Sequence, residues 1–559
     1  MSRASGIAGA ALTAVAATLA SAQYADTIWH GGTIRPAAGD GAIVEAVAVR
    51  KGRIVAVGDL AKLQKRERGD RTVMVDLAGK TMLPGWIDVH GRPWAVGLRS
   101  EAADLAVRSI AGLQDALRAA ASADGGWVIG TGYEETALEE RRHPTRAELD
   151  AVSAERAVLA IHRSGLIVAA NGKALELAGI GASTGDPVGG TIRRDPRTGE
   201  PDGFLAGAAA QSMLDTMIRH AGEGRALRWI EAGTARYAAA GFATAVEARL
   251  PASLIPMYVR AAKERRLAID VVGYPDVAAL GGAAAGIGRP YGAGTAGNFR
   301  LGGVELALDG RAATGTARLT APYAAPPPGR ENDYLGESWM FDDEVLDIVS
   351  RVWGDGWDLL VHAAGDGAID QLLRAVRTAS NALPIKGRRI VVVHAEVARD
   401  EQFEAMEKLY LVPSFCPALA AAQDAETWDV ALGRTRAGNL APVGWARARR
   451  LRFSLHGDAP EGELDGMRIV EAAVRRTSPD GVVFGETHRI SAEAALRALT
   501  ESAAAQIGEA DSKGVIAVGY PADFTILSGD QVVAAPEDLA AIRVVATVKH
   551  GRTVTPPDN

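Results

Sequence analysis

Hydrophobic positions in the middle of this chain come in short unbroken runs rather than in strict alternation. Such runs stand at 82–90, 242–247, 268–273, 302–308, 359–362, 390–394, 411–414 and 452–456. An unbroken apolar run of strand length predicts a strand buried on both faces, as in a parallel sheet. Between the runs the period changes. Ile369, Leu372, Leu373 and Val376 fall at i, i+3, i+4 and i+7, and Phe403, Met406 and Leu409 recur at spacing three. Each set makes one apolar stripe on a helix. Strands alternating with helices in this number predict an α/β chain built as a (β/α)8 TIM barrel, here over residues 82–509.

Both ends have a different texture. Short β-type pieces at 27–30, 44–49, 53–57 and 73–76 are separated by glycine-containing turns, and similar pieces return at 514–519, 523–527 and 544–548. They predict one small β-sandwich domain built from both chain ends, residues 23–81 plus 510–559. The first two strands of the middle are separated by far more chain than one helix needs. That long insertion, about 95–225, sits on a βα loop, where barrels build their catalytic mouth, so it is expected to shape a lid or a substrate pocket. The Gly/Ala tract at 281–297 and the PPPG stretch at 326–329 read as further loops.

Composition narrows the function classes. The chain has 559 residues and 48% apolar content, enough for a large core. A net charge of −7 with no basic run argues against a nucleic-acid partner. Residues 1–22 read as a signal peptide: Arg3, then a small apolar run, then Ala-Ser-Ala at 20–22. The expectation is a periplasmic or secreted protein. The apolar run is too short and too alanine-rich for a membrane span. Cys416 is the single cysteine, so no internal disulfide exists.

Histidine is scarce, with ten in the chain, yet His90, His362, His394 and His456 all stand at or just past the C-terminal end of a predicted strand. Asp458 follows two residues after the last of them. Barrel strands present their final residues to the active-site face. Neutral imidazole and carboxylate are the ligands zinc uses in hydrolases. One strand-end histidine is more often structural; four with an aspartate are harder to obtain from a core alone.

Several motifs together carry a resemblance. They are LPGWIDVH at 83–90, RHPTRAEL at 142–149, Ser164-Gly165 with Asn171, LGGVELALDG at 301–310, YAAPPPG at 323–329, LVHAAGDGAIDQ at 360–371, VVHA at 392–395, SLHGDAP at 454–460 and the tail at 513–524. The set resembles the amidohydrolase superfamily, and within it the YtcJ-like group that includes N-substituted formamide deformylases. The resemblance implies ligands on strands one, four, five, six and eight, which fall on His90, Glu305, His362, His394 and Asp458. Glu305 stands where that group usually has a carbamylated lysine; its plain alternative is a strand-end carboxylate in an ion pair. Homodimers are common among such relatives.

Departures from the pattern matter as much. Arg92 replaces the second histidine of the first-strand pair, Leu166 a histidine after Ser-Gly, Ala364 an asparagine and Arg311 a small serine. A guanidinium has no lone pair for a metal. The expectation is therefore one divalent metal, zinc or another, held by Glu305, His362 and His394, with Arg92 standing in for a second cation. Asp458 would act as general base. Arg92, Arg311 or His456 would stabilise an oxyanion or hold a substrate carboxylate. Tyr133 is a candidate substrate contact, with core packing as its alternative. The function expected is hydrolysis of a C–N, amide-type bond in a small N-substituted substrate, anionic if both arginines face the pocket. Two alternatives stay open: a lyase or isomerase acting on a carboxylate-bearing substrate, and a metal-free binding protein.

Overall fold

A computed structural model describes residues 24–37, 41–121, 126–277, 296–327 and 329–554. The expected signal segment and nearly all of the Gly/Ala tract lie outside these residues. No helix among the described residues is long and apolar enough to cross a membrane.

The middle of the chain is mixed α/β. Strands Phe299–Leu301, Asp270–Pro275, Phe242–Leu250 and Trp86–Gly91 form one parallel sheet in that order. Strands Val304–Ala307, Leu359–Ala363, Ile390–His394, Leu411–Phe415 and Ser454–Leu455 form a second. Trp86–Gly91, Leu359–Ala363 and Ile390–His394 are buried at every position, as their unbroken apolar runs require. The sheets adjoin at both sides. A parallel bridge joins Asp276 to Glu305. Across the other seam Asp458 N–H donates to His90 O at 3.2 Å.

Helices cover these sheets. In Asp366–Ala379 the stripe Ile369, Leu372, Leu373 and Val376 is buried, and Phe403 and Met406 are buried in Asp400–Lys408. The short helix Pro93–Leu98 lies against Glu223–Ala239 with almost no side chain between them. A Cβ at Gly97 would strike the Trp229 carbonyl, and one at Gly233 the Pro93 carbonyl. This close approach fixes the chain that leaves strand one.

Both chain ends meet in one eight-stranded sheet. Its order is Arg552–Val554, Val544–Lys549, Phe524–Leu527, Thr81–Pro84, Thr27–Ile34, Val44–Arg50 and Arg53–Gly58, with Val73–Asp76 also on Thr27–Ile34. Two sequence expectations shift here. The run at 82–90 is two strands: Thr81–Pro84 belongs to the terminal sheet, Gly85 N–H donates to Asp523 O, and Trp86 begins the parallel sheet. Residues 514–519 form no strand, although Ile516 is buried and donates its N–H to Pro36 O. Lys513 and Lys549 both reach Asp270 of the middle region, at 2.6 and 2.7 Å, and tie the two parts together.

The insertion is more than a lid. It carries its own six-stranded sheet, with Gly190–Arg194, Pro201–Gly207, Ile167–Ala170, Val158–His162, Val128–Tyr133 and Ala103–Asp104 in order.

Candidate active site

Parallel register brings the strand-end histidines to one level. Ala307 pairs with His362, and Ala363 with His394. Among the described residues, three donors come close enough to share one cation: His90, His394 and His456, whose ligating atoms all lie within 4.8 Å of one another. All three are buried. Their rings pack edge to face, with centroids 5.1 to 5.2 Å apart.

This differs from the grouping expected from the sequence. His362 packs edge to face against His394, with centroids 4.4 Å apart, but its Nε2 donates to the Gly310 carbonyl at 3.1 Å. Glu305 is taken up by His90 Nε2 at 3.0 Å and by the Arg249 backbone N–H at 2.8 Å. His456, placed by the sequence in a catalytic role, instead joins the trio. Its Nδ1 lies 2.8 Å from Ser414 Oγ.

The nitrogens that remain make the trio a donor set in chemical terms. His394 Nδ1 and His456 Nε2 are buried without a hydrogen-bond partner among the described residues. Burial, with the neighbouring histidines and Arg311, pushes both imidazoles well below their ordinary pKa, so they are neutral and keep a lone pair. Neutral buried imidazoles with unmatched nitrogens fit a divalent cation. His90 is the exception. Burial opposes its charge, but Glu305 and Asp458 outweigh that and raise its pKa. A cation held by the trio would have to displace a proton from His90.

Asp458 sits against this cluster. Its Oδ1 is 3.1 Å from His90 Nδ1 and its Oδ2 accepts from Arg311 Nη1 at 3.1 Å. Burial works against ionisation, but His90, Arg92 and Arg311 hold the carboxyl well below the usual range. His394, Asp458 and Arg249 all have positive φ, at 73°, 55° and 48°. Such backbone is uncommon for residues with a Cβ and clusters at functional sites.

The two arginines stand in different surroundings. Arg311 is 3% exposed and fully engaged: it pairs with Asp458, Glu396 and, at 2.7 Å, Glu461. It positions these three carboxylates. Among the described residues no hydrogen bond joins Arg92 to Asp458 or Glu305, although its charge helps hold Asp458 ionised. Its guanidinium extends instead over Gly165 of the insertion, where a Cβ would collide with it. Gly165 has φ +66°, so only glycine meets both demands easily. Tyr133 is buried in the insertion's core with its Oη 3.1 Å from His143 Nδ1.

Residues the sequence reading passed over complete the site. Asp309 accepts from the N–H groups of Ala364, Gly365 and Arg318, and burial raises its pKa to about 8. Glu396 and Glu461 hold Arg311. Arg249 ends the second parallel strand, and the strand-end rule that singled out the histidines applies to it equally.

The sequence profile described as the Amidohydrolase family matches residues 73–555. N-substituted formamide deformylase of Arthrobacter pascens is 27% identical over 551 residues, covering 95% of this chain and 98% of that protein. YtcJ of Bacillus subtilis, an amidohydrolase by name, is 26% identical over 543 residues, covering 94% and 99%. Among solved structures, an uncharacterized metal-dependent hydrolase from Pyrococcus horikoshii superposes with a TM-score of 0.72 at 22% identity, covering 91% of this chain and 99% of that one. That last likeness concerns the fold.

Proposed function

Because this chain belongs to the amidohydrolase family, we propose that it is a metal-dependent hydrolase of a C–N, amide-type bond, working with one divalent cation. One observation carries the reading. Three buried histidines converge within 4.8 Å beside Asp458, and two of them keep unmatched nitrogens. His90, His394 and His456 would hold the cation, and three imidazoles favour zinc. Such a cation supplies Lewis acidity and makes water nucleophilic near neutral pH.

The chain's own residues do the rest. Arg311 fixes Asp458 Oδ2 while Asp458 Oδ1 stays against His90 Nδ1. Asp458 takes a proton from the attacking water and returns it to the leaving nitrogen, which departs as an amine. Arg92 and the insertion's strand-to-strand turn close the mouth and exclude bulk water. The same reading makes the two parallel sheets one (β/α)8 barrel and the terminal sheet a β-sandwich. The Asp276–Glu305 bridge and the Asp458–His90 backbone bond, one at each seam, support it. The pattern at 1–22 supports action in the periplasm or outside the cell.

The test is hydrolysis of a panel of N-substituted formamides and N-acyl amines, with elemental analysis of the same preparation. Chelator-sensitive amine release with one metal per chain is expected. A metal-loaded chain inert toward the whole panel overturns the amide reading, and two tightly held metals per chain overturn the single-metal part.

A further inference from the structure

Between the helix Pro93–Leu98 and the insertion lies a cavity whose lining is unusual in charge. Arg92, Arg99, Arg163 and Arg249 all line it, and no aspartate or glutamate does. Its remaining wall is largely apolar and includes Trp94 and Leu98. Two of these arginines are deeply placed: Arg92 is 8% exposed and Arg249 5%. Arg163 and Arg249 each spend part of the guanidinium on an acid outside the cavity, Glu134 at 3.0 Å and Asp276 at 3.1 Å. Arg92 Nε and Arg249 Nη1 are nonetheless buried with no hydrogen-bond partner among the described residues.

Taking a guanidinium out of water is costly unless an anion meets it, and an unmatched buried N–H adds to that cost. An anion in this cavity would relieve both arginines at once. Carboxylate suits the planar fork of arginine, and the apolar wall suits a hydrocarbon body attached to it. Location ties the cavity to the reacting centre. Arg92 is two residues past His90, and the backbone N–H of Arg249 holds Glu305, which in turn holds His90.

We propose that the substrate is a carboxylate-bearing amide. Its carboxylate is held by Arg92 and Arg249, its apolar part lies on Trp94 and Leu98, and its scissile bond reaches the trio. The assignment of a substrate rests on the hydrolase reading; the anion pocket does not. Replacement of a histidine by Arg92 then trades a metal ligand for recognition of charge.

Binding to the purified full-length protein tests this without turnover. Titration calorimetry with benzoate, its uncharged counterpart benzamide and inorganic phosphate compares body and charge. Benzoate should bind at least about tenfold more tightly than benzamide, a gap of about 1.4 kcal/mol. Arg92→Gln should remove that preference and leave the melting temperature within a few degrees of the parent. If Arg92→Gln fails to fold, the parent protein decides alone: equal affinity for benzoate and benzamide overturns the pocket. Phosphate binding more tightly than benzoate overturns the carboxylate assignment. Hydrolysis of neutral amides with no benzoate preference sinks the pocket and spares the hydrolase. Benzoate preference with no amide hydrolysed does the reverse.

Discussion

Arg311 Nη1 donates to Asp458 Oδ2 at 3.1 Å, and this contact sets the carboxylate beside His90. The same guanidinium holds Glu396 and Glu461. Arg311→Gln leaves three buried carboxylates without their shared cation, so it should lower stability by about 3–5 kcal/mol. Turnover of a cleavable amide should fall at least a hundredfold. Arg311→Lys should recover little, because an ammonium cannot span three partners in one plane. Urea unfolding and steady-state rates check both; a lysine variant of near-parent stability would contradict the role of the fork.

Metal stoichiometry separates the trio from the set expected by sequence. His394→Ala and His456→Ala should each reduce bound metal to well below one per chain, read by mass spectrometry of the elements. His362→Ala should keep metal, because its Nε2 is committed to Gly310 O. Loss of metal in His362→Ala with retention in His456→Ala would restore the sequence-based grouping.

Glu247 makes a pH prediction. Burial raises its pKa to about 8, although Tyr258 and the Trp94 N–H both donate to it. A carboxyl whose folded pKa lies above its unfolded value of 4.5 holds a proton in the folded state only, so stability falls as pH rises between 4.5 and about 8. Glu247→Gln keeps the shape and removes the ionisation. The variant should gain on the parent as pH goes from 5 to 8, by about 1.4 kcal/mol for each pH unit at most. Parallel stability curves for the two proteins would rule this out.

Asp270 joins the two parts of the molecule through Lys513 and Lys549. Those lysines are 9% and 7% exposed at their side chains, and each keeps one other acid, Glu509 or Asp523. Asp270→Asn should therefore cost roughly 3 kcal/mol rather than unfold the chain outright. Limited proteolysis should show the first cuts in the terminal sheet. Cuts confined to the insertion would argue that the lysines do not fasten the terminal sheet.

Much of this was legible in the sequence because burial on both faces leaves an unbroken apolar run, which fixes strand positions without an alignment. Strand-end histidines followed from the same runs. What the sequence could not resolve was side-chain direction. His362 and His456 occupy equivalent strand ends, yet one turns to a backbone carbonyl and the other to the trio. Arg92 and Arg311 were equally ambiguous: both are long, and only the partners supplied by distant segments, Glu396, Glu461 and Gly165, decide where each points. The split at Gly85 escaped for a related reason. Both halves of 82–90 are apolar, and only the pairing of Thr81–Pro84 with Phe524–Leu527 separates them.

That pairing has a consequence for how the molecule comes into being. Trp86 N–H and Thr525 Oγ1, 439 positions apart, meet at 3.0 Å. During synthesis the N-terminal strands can pair with one another early, but Thr81–Pro84 waits for Phe524–Leu527 until nearly the whole chain has emerged. Closing so long a loop is slow, and an unpaired strand edge is exposed to wrong partners meanwhile. Assembly is therefore governed by its last few dozen residues. A shortened C-terminus would leave the outer edge of Thr81–Pro84 unpaired and a chain prone to aggregate.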